Sequence, residues 1–478
     1  MLKQLTTQDA SFLYLETAET PEHVGGLSAI ELPAGHAGDF YEDYKATIAS
    51  RIDLVPFMHS KLVELPLDVD QPFWVEDEHV DIDYHIRRAT VPRPGGIKEL
   101  EALVGLLHAH PLDRSRPLWE FYVIDGLASG QPAVYTKVHH AAMDGAASQA
   151  LMATLYDPTP TVRALPHPAT DDAENRGDAE HIVEGLLAHL LRQDIRAAQC
   201  VPELLKSWLG LLLPNARTLR YDPVPSVPRT PRTLLNVGIT NQRVYAARTL
   251  PLSAVKQLAK KTGTKINDVV LAVCCGAVRA YLAERDALPS RSLTAMVPVS
   301  LRDAGDLTTA NQNGAFLCNL ASDVADPYQR LLAIHRSSLE QKKGIERWKN
   351  IPWPDLSMAG VGLLSRRMVE LYGKSKLAER LPLCGNFIVS NVPGPASPLY
   401  VAGAKILSMY PCSIPFHGAA LNITVESYCD RLDFGLIACR RAVPDLAHLA
   451  DGLLVALEEL TQAVAASLSA ASQERMQS

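Results

Sequence analysis

The sequence predicts an α/β protein, an α+β sandwich of two lobes joined by a helical, proline-rich crossover. Three observations lead there. Strand-like and helical patterns alternate through residues 1–160, which reads as a first lobe. The composition then shifts over 161–237: Pro166 and Pro168 continue a proline run begun at Pro158 and Pro160, an acidic patch and two apolar helical stretches follow, and four prolines fall between Pro223 and Pro231. The strand and helix alternation resumes over 238–478, the second lobe.

The elements follow in order. Thr6 and Asp9 form a Thr-x-x-Asp start signal ahead of Phe12, Leu13 and Leu15, which predicts a short amphipathic helix. The segment GGLSAIEL predicts a strand. Val80, Ile82, Tyr84 and Ile86 alternate with polar residues and predict a second, half-buried one. IKELEALVGLLH, from Ile97 to His108, has helical spacing and is stopped by Pro111. PLWEFYVIDGL reads as a strand ending in the Asp125-Gly126 turn. In the next strand, PAVYTKVHH, residues Val134, Thr136, Val138 and His140 share one face, and Tyr135, Lys137 and His139 the other. Beyond Asp144-Gly145, Leu151, Met152 and Leu155 fall at helical spacing, so the paired histidines sit at a strand-to-helix junction. In the second lobe LTAMVPVSL, NFIVSNV, LNITVESY and RLDFGLIAC predict strands, and a long helix begins near Asn267.

Composition narrows the function classes. The chain has 478 residues, 47% apolar and 21% charged, which is ample for a large buried core. Its 46 Lys and Arg against 53 Asp and Glu give a formal charge of −7, so no basic field invites nucleic acid. The 8 cysteines all lie beyond residue 199 without a CxxC pair, as expected of buried thiols in a reducing compartment. The first residues lack the unbroken apolar stretch of a secretory signal, and no run of about 18 uncharged apolar residues occurs, so membrane contact is expected to be peripheral.

The chemistry concentrates in KVHHAAMDG. A strand delivering His140 to its end, closed by a tight turn in apolar surroundings, fixes an imidazole that can take a proton from a hydroxyl or thiol within hydrogen-bond reach. His139 faces away and is expected to support the loop. Asp144 either orients His140 as in a triad or holds the turn against an arginine, and the second is the expectation. Gly145 completes the turn. No metal is expected, since adjacent residues on a strand diverge and no HExxH occurs.

HHAAMDG resembles the HHxxxDG signature of the chloramphenicol acetyltransferase and peptide-synthetase condensation-domain superfamily. PLDRSRPLWE, IND (Ile266 to Asp268), PVSLR, NVPGP (Asn391 to Pro395) and the opening DASFLYLE with HVGG are similar to the bacterial wax ester synthase/diacylglycerol acyltransferase (WS/DGAT) family. The resemblance implies two condensation-like lobes with the site in a tunnel at their interface. It implies His140 as general base for direct transfer from acyl-CoA to a long-chain alcohol or diacylglycerol, with no bound cofactor and no acyl-enzyme; the absence of a GxSxG elbow agrees. It points to Asn267 as a candidate oxyanion donor, against the alternative that Asn267 caps its helix. It also makes Arg302 the candidate partner of Asp144.

Two features stand apart. Lys256, Lys260, Lys261 and Lys265 could receive the phosphates of coenzyme A, though a solvated helix face is the favoured reading. Ile182, Leu186, Leu187, Leu190 and Leu191, with Trp208 and Leu212 further on, form apolar helical stripes that either pack in the core or dip into lipid. The expected protein is therefore cytoplasmic, peripherally associated with the inner face of a membrane or with lipid inclusions. The alternatives are an acyltransferase fed by a carrier protein and a non-catalytic lobe pair that binds lipid or a carrier.

Overall fold

Two six-stranded sheets carry the architecture, and one of them is assembled from both ends of the chain. The computed structural model describes residues 3–64, 71–143, 145–165, 230–300, 313–348, 361–380 and 385–477. The first lobe opens with β1 (Lys3–Gln4) and α1 (Thr7–Leu15), where the Thr6 side chain accepts the Asp9 N–H at 3.1 Å, as the start signal predicts. β2 (His23–Glu31), α2 (Phe40–Ala49), β3 (Ser60–Val63), β4 (Phe73–Glu76) and β5 (Ile86–Thr90) follow. The strand expected over Val80 to Ile86 divides. Ile82–His85 is a helical turn capped by Asp81, whose carboxylate accepts the Tyr84 N–H, and the extended chain starts only at Ile86. A local side-chain cap has overridden the alternation there. α3 (Ile97–Ala109), β6 (Trp119–Asp125), β7 (Ala133–His139) and α4 (Gly145–Leu155) complete the lobe as read.

The second lobe contains β8 (Arg243–Pro251), α5 (Leu252–Thr262), α6 (Ile266–Ala283), β9 (Thr294–Ser300), β10 (Asn313–Asn319), α7 (Pro327–Trp348), α8 (Val361–Lys374) and β11 (Phe387–Val392). β12 (Tyr400–Val401), β13 (Ala404–Cys412), β14 (Leu421–Tyr428), β15 (Arg431–Cys439) and α9 (Leu446–Gln477) follow. Gly263 ends α5 in the left-handed region at φ 67°, and α6 restarts shortly after it.

The second sheet has the order β10-β9-β11-β14-β15-β8, and its core packs against α6 and α9. The first has the order β12-β13-β2-β7-β6-β5. β13 runs antiparallel to β2 from Lys405 opposite Glu31 to Cys412 opposite Gly25. A boundary at residue 238 therefore divides the sequence but not the sheets, because residues 400–412 return to complete the first one. The two sheets meet where β13 crosses β15. A Cβ on Gly435 would lie 1.6 Å from the Pro411 carbonyl oxygen, so only glycine permits the approach. The exit of α4 is held by a buried ion pair: Arg51 Nη2 lies 3.0 and 2.9 Å from the two Asp157 oxygens, and Nη1 donates to the Leu155 carbonyl at 2.7 Å.

Two described helices are long and apolar enough to cross a membrane by length and composition. Ile266–Ala283 buries 72% of that stretch inside the fold and is a core helix; Leu446–Ala470 buries 28%. The six described cysteines are free thiols, five of them buried.

Candidate active site

A cavity of about 490 Å³ lies between the two sheets. Its first wall is Gly25 and Gly26 of β2, Thr136 and Val138 of β7, His140, and the inner face of α4. The opposite wall comes from β9, β11 and β14 of the second sheet, including Asn391, Thr424 and Glu426, and β13 of the first sheet also lines the cavity. The expected alternation along β7 holds. Thr136, Val138 and His140 line the cavity, whereas Tyr135, Lys137 and His139 are buried on the other side. Gly25 is required here, since a Cβ would stand 1.9 Å from the Thr136 carbonyl oxygen of the neighbouring strand.

His140 is half-buried at the end of β7, where the chain enters a 3-10 turn over His140–Ala142. Its backbone N–H donates to the Glu22 carbonyl at 2.8 Å. Phe12 of α1 stacks on the imidazole with ring centroids 4.0 Å apart and planes within 9°. The aromatic face fixes the ring plane and covers one side of it.

His139 supports this turn through a defined tautomer. Its Nδ1 accepts the Ala141 N–H at 3.1 Å, so Nε2 carries the hydrogen and stands 3.5 Å from Glu16 Oε1, an electrostatic contact rather than a hydrogen bond. Glu16 is the hub beneath the motif. Its Oε1 accepts the Glu22 N–H at 3.2 Å, and its Oε2 accepts from Arg114 Nη2 at 2.7 Å and Nε at 3.1 Å. Burial raises the pKa of the Glu16 carboxyl, but His139 and the Arg114 guanidinium outweigh it and hold the group at about 2. Glu22 next to it goes the other way: burial first, then the Glu16 charge, push it up to about 8. The DASFLYLE helix, the arginine of PLDRSRPLWE and the HHxxxDG strand thus converge on one buried network.

The other predicted residues fall as follows. Asn267 is the second residue of α6. The helix is closed at its start by Asp268, whose Oδ2 accepts the Lys265 N–H at 3.0 Å, so the cap considered for Asn267 belongs to Asp268. Asn267 does not line the cavity; its Oδ1 accepts from Asn391 Nδ2 at 3.3 Å, and Asn391 does. The ND and NVPGP segments are therefore coupled side chain to side chain. Gly145 begins α4. Asp144, Arg302 and the apolar stripes between Ile182 and Leu212 lie outside the described residues. Lys256, Lys260, Lys261 and Lys265 are all exposed on and between α5 and α6, as the solvated-face reading expects.

Sequence reasoning gave no role to Phe12, Glu16, Asn391 or Glu426. Phe12 within α1 and Glu16 just past its end both fall in the DASFLYLE segment, which was their signal. Asn391 stood in the NVPGP segment, but its role depends on a pairing 124 residues away.

The wax ester synthase/diacylglycerol acyltransferase catalytic domain matches residues 5–270, and the C-terminal domain of the same family matches 309–461. A Mycobacterium tuberculosis (strain ATCC 25618 / H37Rv) protein named a probable diacylglycerol O-acyltransferase is 36% identical over 464 residues, 95% of this chain and 98% of its own. The solved wax ester synthase/diacylglycerol acyltransferase from Marinobacter aquaeolei VT8 superposes with a TM-score of 0.70 at 32% identity, covering 97% of this chain and 100% of that one. The first condensation domain of the calcium-dependent antibiotic synthetase shares the fold at a TM-score of 0.53 and 17% identity, with 97% of each chain covered.

Proposed function

Because this chain belongs to the wax ester synthase/diacylglycerol acyltransferase family of acyltransferases, we propose that it transfers a fatty acyl group from coenzyme A to a long-chain alcohol, to diacylglycerol, or to both. The observation that carries this reading is His140: an imidazole held flat against Phe12 in the wall of a cavity between two sheets. In the proposed reaction His140 takes the proton of the acceptor hydroxyl as its oxygen attacks the thioester carbonyl. The tetrahedral intermediate collapses with cleavage of the carbon–sulfur bond, and the imidazolium returns the proton to the coenzyme A thiolate. The products are the oxygen ester and the free thiol, and no group of the protein is acylated.

The developing oxyanion needs a donor. Asn391 suits the role better than Asn267, which reaches the cavity only through it. One hydrogen of the Asn391 amide is committed to Asn267 Oδ1, which fixes the plane of the group and leaves the second hydrogen for the oxyanion. Asn267 then acts as a positioning residue. We keep Asp144 with Arg302 as the pair that holds the turn after His140, and the exposed lysines of α5 and α6 as a solvated face. Both acceptors and both products partition into lipid, so we place the protein in the cytoplasm, attached peripherally to the inner face of the membrane or to lipid inclusions. Exposed Leu454, Val455 and Leu468 on α9 offer apolar surface for this.

The test is direct: purified protein with labelled palmitoyl-CoA and either hexadecanol or dioleoylglycerol, with the lipids resolved, is expected to yield labelled wax ester or triacylglycerol. Absence of both refutes the reading, and product only from an acyl carrier protein favours the carrier-fed alternative. Phe12→Ala is expected to lower kcat/KM by about tenfold, since an aromatic stack of this kind contributes about 0.5–1.5 kcal/mol and its loss frees the ring. Steady-state kinetics check this, and Phe12→Tyr should retain most of the activity.

A further inference from the structure

Glu426 of β14 lines the cavity, yet the proposed reaction does not use it. It stands opposite Asp433 in the β14–β15 register, so two carboxyls lie on the same face of the sheet. They are treated unequally. Asp433 accepts from Thr249 Oγ1 at 2.6 Å, from the Met409 N–H at 2.9 Å and from Arg431 Nε at 3.3 Å. Glu426 Oε1 is closed off from solvent and has no hydrogen-bond partner among the described residues. Of two adjacent carboxyls, the one supplied with donors keeps the charge and the one without keeps the proton. The direction of the Glu426 pKa agrees: burial, then Asp433, push it up to about 8. The NVPGP loop adds a steric constraint, because a Cβ on Gly394 would stand 2.8 Å from Glu426 Oε1.

A neutral carboxyl is a hydrogen-bond donor, and Met152, Leu155 and Met409 line the same cavity. Because Oε1 is shut away beside Gly394, the hydrogen falls to the other carboxyl oxygen of this cavity-lining side chain, and its acceptor is then a group of the cavity's occupant. Coenzyme A's pantetheine arm carries two amides that both donate and accept. A diacylglycerol carries, besides the hydroxyl that is acylated, two ester carbonyls that only accept, which matches a carboxyl that donates. We propose that Glu426 is the residue that recognises a glyceride acceptor, its carboxylic acid donating a hydrogen bond to an ester carbonyl of diacylglycerol, a group that a simple fatty alcohol lacks. This rests on the acyl-transfer reading above and assigns the acceptor side of the same cavity.

The experiment measures kcat/KM for dioleoylglycerol and for hexadecanol with palmitoyl-CoA, in the wild type, Glu426→Leu and Glu426→Gln. A single good hydrogen bond to an otherwise unsatisfied group changes binding by roughly 10- to 100-fold. Glu426→Leu is therefore expected to lower the glyceride-to-alcohol ratio by that factor. Glu426→Gln, which keeps an N–H donor, is expected to hold the ratio within about threefold of wild type. Equal losses for both acceptors in Glu426→Leu, or a Gln variant no better than Leu, overturn the assignment. A comparable rise in the KM for palmitoyl-CoA also overturns it, by placing Glu426 on the donor arm. If the wild type forms neither ester, acyl transfer itself is refuted and the assignment falls with it; if it forms both and the ratio does not move, only the assignment falls.

Discussion

His140→Ala is expected to lower kcat for ester formation by about 10³-fold or more with either hexadecanol or dioleoylglycerol as acceptor, while the variant is expected to unfold within a few degrees of the wild type. The magnitude follows from the proposed role: a positioned general base contributes about 10²- to 10⁴-fold, and in the proposed reaction the same imidazole would also return the proton to the leaving thiolate. The stability expectation follows from the geometry. His140 is half-buried, its ring faces a cavity, and the backbone bond from its N–H to Glu22 is independent of the side chain. What the fold loses is mainly the stack on Phe12, worth about 0.5–1.5 kcal/mol. Labelled lipids resolved after single-turnover and steady-state incubations, with a thermal melt of the same preparation, check both halves. Equal product from the variant removes His140 from the chemistry.

The legibility of this site in the sequence divides along physical lines. Local rules carried far: the Thr6 cap of α1, the two-residue period that turns His140 to the cavity and His139 away from it, and the long helix from Ile266 depend only on neighbours in the chain. Local rules also failed locally at Ile82–His85, where alternation was the weaker signal beside the Asp81 cap. Long-range pairing carried no signal. Nothing in AKILSMYPC shows that β13 joins β2 rather than β14, the strand that follows it in sequence, yet that choice places Met409 and Cys412 in the cavity wall. The same limit applied to the amides. Asn267 drew notice through its motif, but the side chain at the cavity is Asn391, and the link between them exists only once β11 is packed beside α6. Glu426 was legible only as the lone acid of β14, and its protonation depends on which donors reach Asp433 across the ladder.

Glu16→Gln is expected to cost about 3 kcal/mol of folding stability near pH 5 and about 10²-fold in kcat/KM, although Glu16 is not among the residues that line the cavity. A carboxyl held at about 2 instead of its ordinary 4.5 stabilises the folded chain by roughly that amount. The sign is that of a depressed acid: the contribution is present above about pH 4.5 and is lost as pH falls toward 2, so the gap between wild type and variant closes over that window. Glu22 bends the curve on the alkaline side. Its pKa is raised to about 8, in part by the Glu16 charge, so wild-type stability falls as pH rises from about 4.5 through 8. The neutral amide of the Glu16→Gln variant relieves that repulsion, and the gap should narrow again from pH 5 to pH 8. Denaturant midpoints measured at about pH 3, 5 and 8 should therefore show the largest difference in the middle. The kinetic loss has a separate cause. Glu16 holds the Glu22 N–H, whose neighbouring carbonyl fixes the His140 backbone, and it faces the Nε2–H of His139, whose tautomer is set by the Ala141 N–H at Nδ1. A displacement of about 1 Å at a reacting group is enough for a 10²-fold loss. A variant destabilised at pH 5 but fully active would show that the network supports the fold and leaves the imidazole where it was.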